Sequence, residues 1–110
     1  MAEAEKILEE TYLAAHDLFG DKLCDAYLYG SYARGDFTPE SDVDILLSVD
    51  MTREELMNYF FETSHIGNEL SLEHDVTVSI AVKPNAEFRR FSSDLPYYRN
   101  VIKEGIRYGS

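Results

Sequence analysis

The feature that most constrains this chain is a glycine turn between two strand-like runs, the second of which opens with paired carboxylates. Residues 26–29 predict a strand that ends at Gly30, and residues 41–49 predict a second strand. Asp42 and Asp44 are two positions apart, so on an extended backbone their side chains point to the same face. The apolar residues that alternate with them point to the opposite face. The segment therefore predicts a sheet with two carboxylates where one strand begins.

The chemistry of this turn favours a phosphate and a divalent cation. Two neighbouring aspartates repel each other and lose hydration, which a fold tolerates most readily when a divalent cation supplies the missing charge. Gly30 lets the backbone come close to a ligand. Ser31, at the start of a predicted short helix, offers a hydroxyl and free backbone amides to phosphate oxygens. Phosphate-binding and metal-binding groups are therefore adjacent along the chain.

Length and charge limit the class of protein. A chain of 110 residues has room for one small domain, which we expect to cover residues 1–110. The formal net charge is −11, from 21 acidic and 10 basic residues, which argues against a protein that holds nucleic acid through broad phosphate contacts. An acidic surface suits metal binding or a basic protein partner.

The cysteine content and the apolar pattern predict a cytoplasmic location. Cys24 stands alone and cannot form an internal disulfide, and the first residues lack the basic and then apolar profile of a signal peptide. No apolar run approaches the ~20 residues that a membrane span needs. His65 and His74 have no zinc-type spacing with each other or with Cys24, so we do not expect a structural zinc.

The rest of the pattern alternates helices with strands, which predicts an α/β fold. A capping box at residues 52–55 begins one helix, and Gly67 is expected to kink or interrupt it because glycine lowers the local helix propensity. We expect Phe60 and Phe61, on that helix, to lie in the core. The predicted helices cover residues 2–19, 52–72, 85–91 and 94–104, and a third predicted strand covers residues 74–82.

Asp75 lies where the third predicted strand begins, as Asp42 and Asp44 lie where theirs begins. Taken alone, it is more often a strand-edge or capping aspartate. A two-metal site needs more than two carboxylate oxygens to hold ions roughly 3.5–4 Å apart. The carboxylate pair upstream therefore makes Asp75 the favoured third ligand.

The basic residues can be interpreted either as ligands of a phosphate or partner or as members of structural ion pairs. Arg34 is either a cation aimed at a triphosphate or a partner in an ion pair with Asp36 or Glu40. The last quarter of the chain holds half of its basic residues, and we favour the interpretation that most of them neutralise acidic neighbours. The alternative is that some face a nucleotide or a partner. These residues are Arg89, Arg90, Arg99, Lys103 and Arg107.

The spacing of the turn and the carboxylates resembles the signature of the minimal nucleotidyltransferase (MNT) family, within the polymerase-β-like nucleotidyltransferases. The matching residues are Gly30-Ser31, ten intervening residues and Asp42-Val43-Asp44. Asp75 on a later predicted strand matches the third carboxylate of that family. A looser similarity continues through residues 95–106, so the resemblance covers nearly the whole chain.

The resemblance implies a small mixed, twisted sheet flanked by helices and the transfer of a nucleoside monophosphate from a nucleoside triphosphate to a hydroxyl. It implies that Asp42 and Asp44 hold two Mg²⁺ ions, and that Asp75 binds the second ion and takes up the proton. It also implies that Ser31 and the amides after Gly30 fix the leaving pyrophosphate.

The resemblance further implies a partner. The MNT family resembles the antitoxin half of two-component systems whose other half is a helical HEPN ribonuclease toxin. By that resemblance, this chain would use ATP to adenylylate a tyrosine hydroxyl of such a toxin. We expect the acceptor surface to come from that partner. Two other functions stay open: a binding module that blocks the partner stoichiometrically, and a small-molecule nucleotidyltransferase, which would need a closed acceptor pocket in this chain.

Overall fold

The chain folds around a four-stranded mixed sheet in a computed structural model that describes residues 2–109. The strands are β1 (Leu23–Tyr29), β2 (Val43–Val49), β3 (Val78–Pro84) and β4 (Ile106–Arg107). Their order across the sheet is β3-β2-β1-β4, and only the β2–β3 pair is parallel among the described strands. The helices are α1 (Ala2–Phe19), α2 (Ser31–Arg34), α3 (Arg53–Met57), α4 (Phe60–His74), α5 (Asn85–Phe91) and α6 (Pro96–Glu104). The expected α/β fold with a small mixed sheet is confirmed.

Helices cover both faces of the sheet, because β1 and β2 carry apolar side chains on each side. Leu28 of β1 packs toward α1 and α4, whereas its neighbour Tyr27 packs toward α5 and α6. Asp44 lies on the α5–α6 face, since alternate residues of a strand share a face and Leu46 belongs to that core. The first core includes Ile7, Ala15, Leu28, Ile45, Leu47 and Leu70, and the second consists of Tyr27, Leu46, Phe88, Tyr98 and Val101.

The strand directions bring three chain segments to one edge of the sheet. The antiparallel pair places the end of β1 beside the start of β2, with Tyr29 opposite Asp44. The parallel pair places the start of β3 beside the start of β2, where the Val43 amide donates to the Thr77 carbonyl at 2.8 Å. The glycine turn, the carboxylate pair and the segment before β3 therefore meet at this edge.

The long amphipathic helix α1 forms as predicted and ends at Phe19. Its apolar stripe is fully buried at Ile7 and Ala15. Thr11 is buried on the same stripe and donates its hydroxyl to the Ile7 carbonyl at 2.8 Å, which satisfies its polar atom inside the core. A single 3-10 turn, Gly20–Lys22, leads from the helix into β1.

The helix predicted over residues 52–72 is two helices, α3 and α4. The capping box is confirmed: the Glu55 amide donates to Thr52 Oγ1 at 3.1 Å, and the Thr52 amide donates to Glu55 Oε1 at 2.9 Å. The interruption lies at residues 58–59 rather than at Gly67, which is buried within α4. The first helix therefore ends after little more than one turn.

The prediction that Phe60 and Phe61 lie in the core is wrong. They are 63% and 80% exposed, because Tyr59 in the interhelical break takes the inward position and packs on Phe19 with ring centroids 5.1 Å apart. Helix α4 restarts after the break with the two phenylalanines on its outer side. An isolated periodicity count cannot detect such a change of phase.

The third strand begins later than predicted. Helix α4 continues through His74, and Asp75 ends it in the left-handed conformation with φ 51°, its amide donating to the Ser71 carbonyl. Strand β3 starts at Val78 and runs to Pro84. Asp75 is thus a helix-capping residue in this fold, not the first residue of a strand.

The C-terminal part follows the predicted order, with α5 over residues 85–91 and α6 beginning at Pro96. Strand β4 was not predicted, because two residues are too short to show an alternating pattern. It pairs with β1 through Leu28 and Ile106. Within residues 2–109, no helix has the length and apolar character to cross a membrane.

Candidate active site

The glycine turn and the carboxylate pair are in direct contact. Gly30 has φ 75° and ψ −155°, a conformation that essentially only glycine adopts. A Cβ atom at this position would lie 2.6 Å from Oδ2 of Asp44. The absence of a side chain is therefore what lets the turn and the carboxylate occupy the same corner of the fold.

The turn continues into helix α2, whose first amides face outward. The amides of Ala33 and Arg34 both donate to the Gly30 carbonyl at 3.1 Å. The amides of Ser31 and Tyr32, which come first in the helix, have no acceptor within it. Together with the Ser31 hydroxyl they form a donor group of the kind that binds phosphate oxygens. The structure thus brings the predicted phosphate-binding residues beside Asp44.

Asp42 and Asp44 form a pair of like charges where β2 begins. Asp42 is exposed just before the strand, and Asp44 is partly buried within it. Burial raises the pKa of Asp44 first, the charge of Asp42 raises it further, and the cation of Arg34 opposes both effects. A carboxylate pair that burial and mutual repulsion destabilise fits a divalent cation, which would supply the missing positive charge.

Asp75 does not form one compact cluster with this pair. It is exposed at the end of α4, and the carboxylate oxygens of Asp42, Asp44 and Asp75 do not all lie within 4.8 Å of one another. The position beside Asp44 on β3 is taken by Ser79. The structure therefore brings Gly30, Asp42 and Asp44 together, and leaves Asp75 in the adjoining segment.

Arg34 shares its guanidinium between neighbours at the rim of the site. Its Nε donates to Asp36 Oδ2 at 3.3 Å, and its Nη1 lies 3.8 Å from Glu104 Oε1. The side chain is 45% exposed and close enough to Asp44 to oppose the rise in its pKa. The ion pair with Asp36 was one of the two predicted interpretations, and an exposed pair of this kind leaves the arginine free to turn toward a phosphate.

Two tyrosines beside Asp44 were missed by the sequence analysis. The hydroxyls of Tyr29 and Tyr97 are hydrogen-bonded at 2.8 Å, and the rings meet edge to face at 80°. Burial raises the pKa of both hydroxyls, and the negative charge of Asp44 raises them further. Tyr29 could have been noticed as the residue before Gly30, whereas nothing in the pattern around Tyr97 marks it.

Of the five basic residues in the last quarter of the chain, Arg89 and Arg107 have an acidic partner among the described residues, so the predicted neutralisation is seen for two of the five. Asp25 on β1 is 2% exposed and accepts hydrogen bonds from Arg89 of α5 and from Arg107 Nε, the latter at 2.6 Å. The Ser48 hydroxyl is 3.4 Å from the same carboxylate. Arg89 and Arg107 therefore hold the C-terminal elements on the sheet, and this assigns them a structural role.

A second group of residues with possible metal-ligating side chains joins α1 to α4. Ligand atoms of Glu10, Glu73 and His74 lie within 4.8 Å of one another. Both ring nitrogens of His74 already have carboxylate partners, Glu3 at 2.7 Å and Glu10 at 2.6 Å, which raise its pKa. A histidine that donates from both nitrogens is a cation, so this group is an ion-pair cluster rather than a metal site.

A groove of about 700 Å³ lies between the α3–α4 pair and strand β3. Its lining includes Met57, Phe60, Phe61, Ile80 and Val82, and it does not include the residues of the carboxylate pair. This groove is therefore not the closed acceptor pocket that a small-molecule nucleotidyltransferase would need beside the aspartates.

The family model described as "Nucleotidyltransferase domain" matches residues 8–108. The chain is 30% identical over 101 residues to MJ0604 of Methanocaldococcus jannaschii, a candidate protein adenylyltransferase, with 92% of this chain and 93% of the relative covered. It is 36% identical over 110 residues to an aminoglycoside (3'') (9) adenylyltransferase of Escherichia coli, covering 96% of this chain and 34% of that protein. A crystal structure of a toxin–antitoxin with AMP-PNP superposes with a TM-score of 0.59 at 21% identity, covering 93% of this chain and 73% of that chain.

Proposed function

The chain belongs to the nucleotidyltransferase domain family, and from this premise we propose that it transfers AMP from ATP to a tyrosine hydroxyl of a HEPN ribonuclease toxin. In this role it is the antitoxin, it requires Mg²⁺, and residues 1–110 form its nucleotidyltransferase domain in the cytoplasm. The relative named as a protein adenylyltransferase supports a protein acceptor. The solved toxin–antitoxin structure with the same fold supports a toxin as the partner.

The observation that carries the proposal is the contact between Gly30 and Asp44. It joins a phosphate-binding turn to a carboxylate pair with no side chain between them. ATP bound with its phosphates on Ser31 and the free amides would therefore place its α phosphorus near Asp42 and Asp44. Phosphoryl-type transfer needs little more from a protein than positioning and charge neutralisation.

The proposed reaction is an in-line displacement at the α phosphorus. The acceptor oxygen forms a bond to phosphorus, the bond from the α phosphorus to its bridging oxygen breaks, and pyrophosphate leaves. Ser31 and the amides of the turn bind the leaving phosphates, and Arg34 is in reach to neutralise them. Mg²⁺ held by Asp42 and Asp44 would neutralise phosphate charge and lower the pKa of the attacking hydroxyl.

Asp75 stays a proposed third ligand and proton acceptor. The parallel β2–β3 register supports this, since it places the segment before β3 beside the start of β2. Asp75 is exposed at a helix terminus, so its side chain has room to turn toward a bound ion. A substitution of Asp75 should reduce AMP transfer less than substitutions of Asp42 and Asp44 do.

Label transfer tests the proposal directly. The chain is incubated with Mg²⁺, ATP labelled on the α phosphate and the protein that co-purifies with it, and it is compared with the Asp42→Asn/Asp44→Asn double variant. Asp36→Asn is the matched control, because Asp36 is an exposed aspartate in the same connection. Label on a tyrosine of the partner, kept in the control and lost in the double variant, is the expected result. An inhibited partner with no label would instead identify a stoichiometric binding module.

A small-molecule acceptor is the second candidate, favoured by the identity to the aminoglycoside adenylyltransferase. This chain spans 34% of the length of that relative. Adding aminoglycosides to the same labelling reaction distinguishes the two candidates. Labelled aminoglycoside with unlabelled partner protein would replace the antitoxin proposal.

A further inference from the structure

We propose that Tyr97 of this chain is itself an acceptor, and that the enzyme adenylylates this hydroxyl in cis when no partner is bound. The inference rests on the proposed function, because it uses the same nucleotide and the same carboxylate pair. It adds a modification site on the enzyme, which the proposed transfer to a partner does not require.

The geometry places the Tyr97 hydroxyl at the carboxylate edge of the sheet. This hydroxyl lies 2.8 Å from the hydroxyl of Tyr29. Tyr29 is the strand partner of Asp44 and directly precedes Gly30, so its ring extends along the same face as the carboxylate. Among the described residues, the pair thus presents phenolic hydroxyls beside the position where the α phosphorus of a turn-bound ATP would lie.

Tyr97 differs from Tyr29 in the exposure of its side chain and in the type of element to which it belongs. Tyr29 belongs to a central strand that is paired on one side with β2, and its ring is partly buried. Tyr97 is 42% exposed and lies in the first turn of α6. The exposed part of the side chain leaves Tyr97 more room than Tyr29 has to turn toward a bound nucleotide.

Neighbouring tyrosines are committed to other contacts. The Tyr98 hydroxyl donates to Glu87 at 2.6 Å, and its ring is buried against Phe88. The Tyr32 ring is stacked on Phe37 with centroids 4.3 Å apart. The Tyr97 hydroxyl has only the neutral Tyr29 hydroxyl as a side-chain partner within the described part of the chain. Reaction at Tyr97 therefore requires the loss of one hydrogen bond to a neutral hydroxyl, whereas reaction at Tyr98 would break a hydrogen bond to a carboxylate.

The step balances without a further reactant. The Tyr97 oxygen forms a bond to the α phosphorus of ATP, the bond from that phosphorus to the bridging oxygen breaks, and pyrophosphate leaves with its electron pair. The phenolic proton passes to water, which reaches the exposed side of the ring. The product is a tyrosyl-AMP phosphodiester on α6.

Intact-mass measurement and peptide mapping of the purified full chain test this inference. The chain alone is incubated with ATP and Mg²⁺, and Tyr97→Phe is compared with Tyr108→Phe, a tyrosine whose ring stacks on Tyr12 away from the carboxylates. We expect one adenylyl group on Tyr97 in the wild type and in Tyr108→Phe. We expect Tyr97→Phe to fall to the level of the Asp42→Asn/Asp44→Asn variant, with an unchanged unfolding temperature.

Two further readouts separate the inference from the proposed function. The rate per chain should not change on dilution, since the acceptor and the site belong to one molecule; a rate proportional to concentration overturns the cis reaction. An unlabelled chain beside a labelled partner overturns the inference and leaves the proposed function standing. The same holds if the label maps to another residue of the chain. If neither protein is labelled, both the further inference and the proposed function are overturned.

Discussion

Oδ2 of Asp44 lies so close to Gly30 that a Cβ atom on the glycine would be only 2.6 Å away from it, which leaves no room for a methyl group. The contact joins the end of β1 to the start of β2, where Tyr29 and Asp44 are paired. The glycine turn therefore cannot move relative to Asp44 without disturbing the β1–β2 register. This rigid connection has consequences that can be measured.

Gly30→Ala should lower both stability and activity. The alanine must adopt a conformation reserved for glycine, and its Cβ would lie 2.6 Å from Asp44 Oδ2. We expect a loss of about 3 kcal/mol in the free energy of unfolding, at the upper end of the cost of such strained positions. Urea denaturation measures this loss, and label transfer measures the accompanying loss of activity.

Gly35→Ala is the matched control for that variant. Gly35 also has a positive φ, 89°, but no atom lies within 4 Å of a Cβ built on it. Only the conformational strain applies, and we expect a loss of about 1 kcal/mol. Equal losses in the two variants would mean that the contact with Asp44 contributes nothing beyond backbone strain.

Asp44→Asn should stabilise the metal-free protein while it abolishes transfer. Burial and the charge of Asp42 raise the pKa of Asp44, so at neutral pH the ionised carboxylate is less favourable in the folded chain than in the unfolded one. Asparagine removes this cost, and we expect a gain of about 0.5–2 kcal/mol in the free energy of unfolding. The gain should shrink as the pH falls through the folded-state pKa of Asp44, and it should be absent below the ordinary value of 3.8, where the carboxyl is neutral in both states.

Denaturant titrations with a chelator and with Mg²⁺ test this prediction. Mg²⁺ should stabilise the wild type by binding only the folded state, and it should not stabilise Asp44→Asn. Asp36→Asn, which removes an exposed charge paired with Arg34, should change stability by less than about 0.5 kcal/mol. A destabilised Asp44→Asn would contradict the assignment of repulsion at this position.

The local part of the site could be predicted because chain geometry determines it. Gly30, Ser31, Asp42 and Asp44 lie within one strand–turn–strand segment, and period-two alternation is enough to place both carboxylates on one face. Tyr97 could not be found in this way. It lies 68 positions from Tyr29, and their contact depends on how α6 packs on the sheet.

The helix and strand predictions that were wrong have an equally specific cause. Helical spacing predicted one helix through Phe60 and Phe61, but Tyr59 packs on Phe19 and the helix restarts in another phase. Alternation likewise predicted a strand from His74, whereas the contacts of His74 with α1 extend α4 to that residue. In both cases a tertiary contact overrode a local pattern that was itself correct.

The exposed phenylalanines give a direct test of that interpretation. Phe61→Ser should change the free energy of unfolding by less than about 0.5 kcal/mol, because the ring is already in water. Phe88→Ala, at a fully buried position, should cost about 3–5 kcal/mol. Urea denaturation of the two variants measures both. A large loss in Phe61→Ser would show that its ring is covered in solution.

The His74 cluster should make stability depend on pH. Glu3 and Glu10 accept hydrogen bonds from the two ring nitrogens, and they raise the pKa of His74 above its ordinary value of 6.5. A histidine whose pKa is raised by folding contributes stability that is fully present below pH 6.5 and is lost as the pH rises through the folded-state pKa. Wild-type stability should therefore decrease as the pH rises above 6.5 and through the raised pKa of His74.

His74→Gln should remove this dependence, while His65→Gln should retain it. His65 is the matched control because its ring is 72% exposed and pairs only with Glu69 on the same helix. The difference in the free energy of unfolding between wild type and His74→Gln, measured from pH 6 to pH 9, should be largest at the acidic end. Parallel curves for the wild type and His74→Gln would mean that the cluster holds a neutral imidazole, and that the α1–α4 contact rests on packing alone.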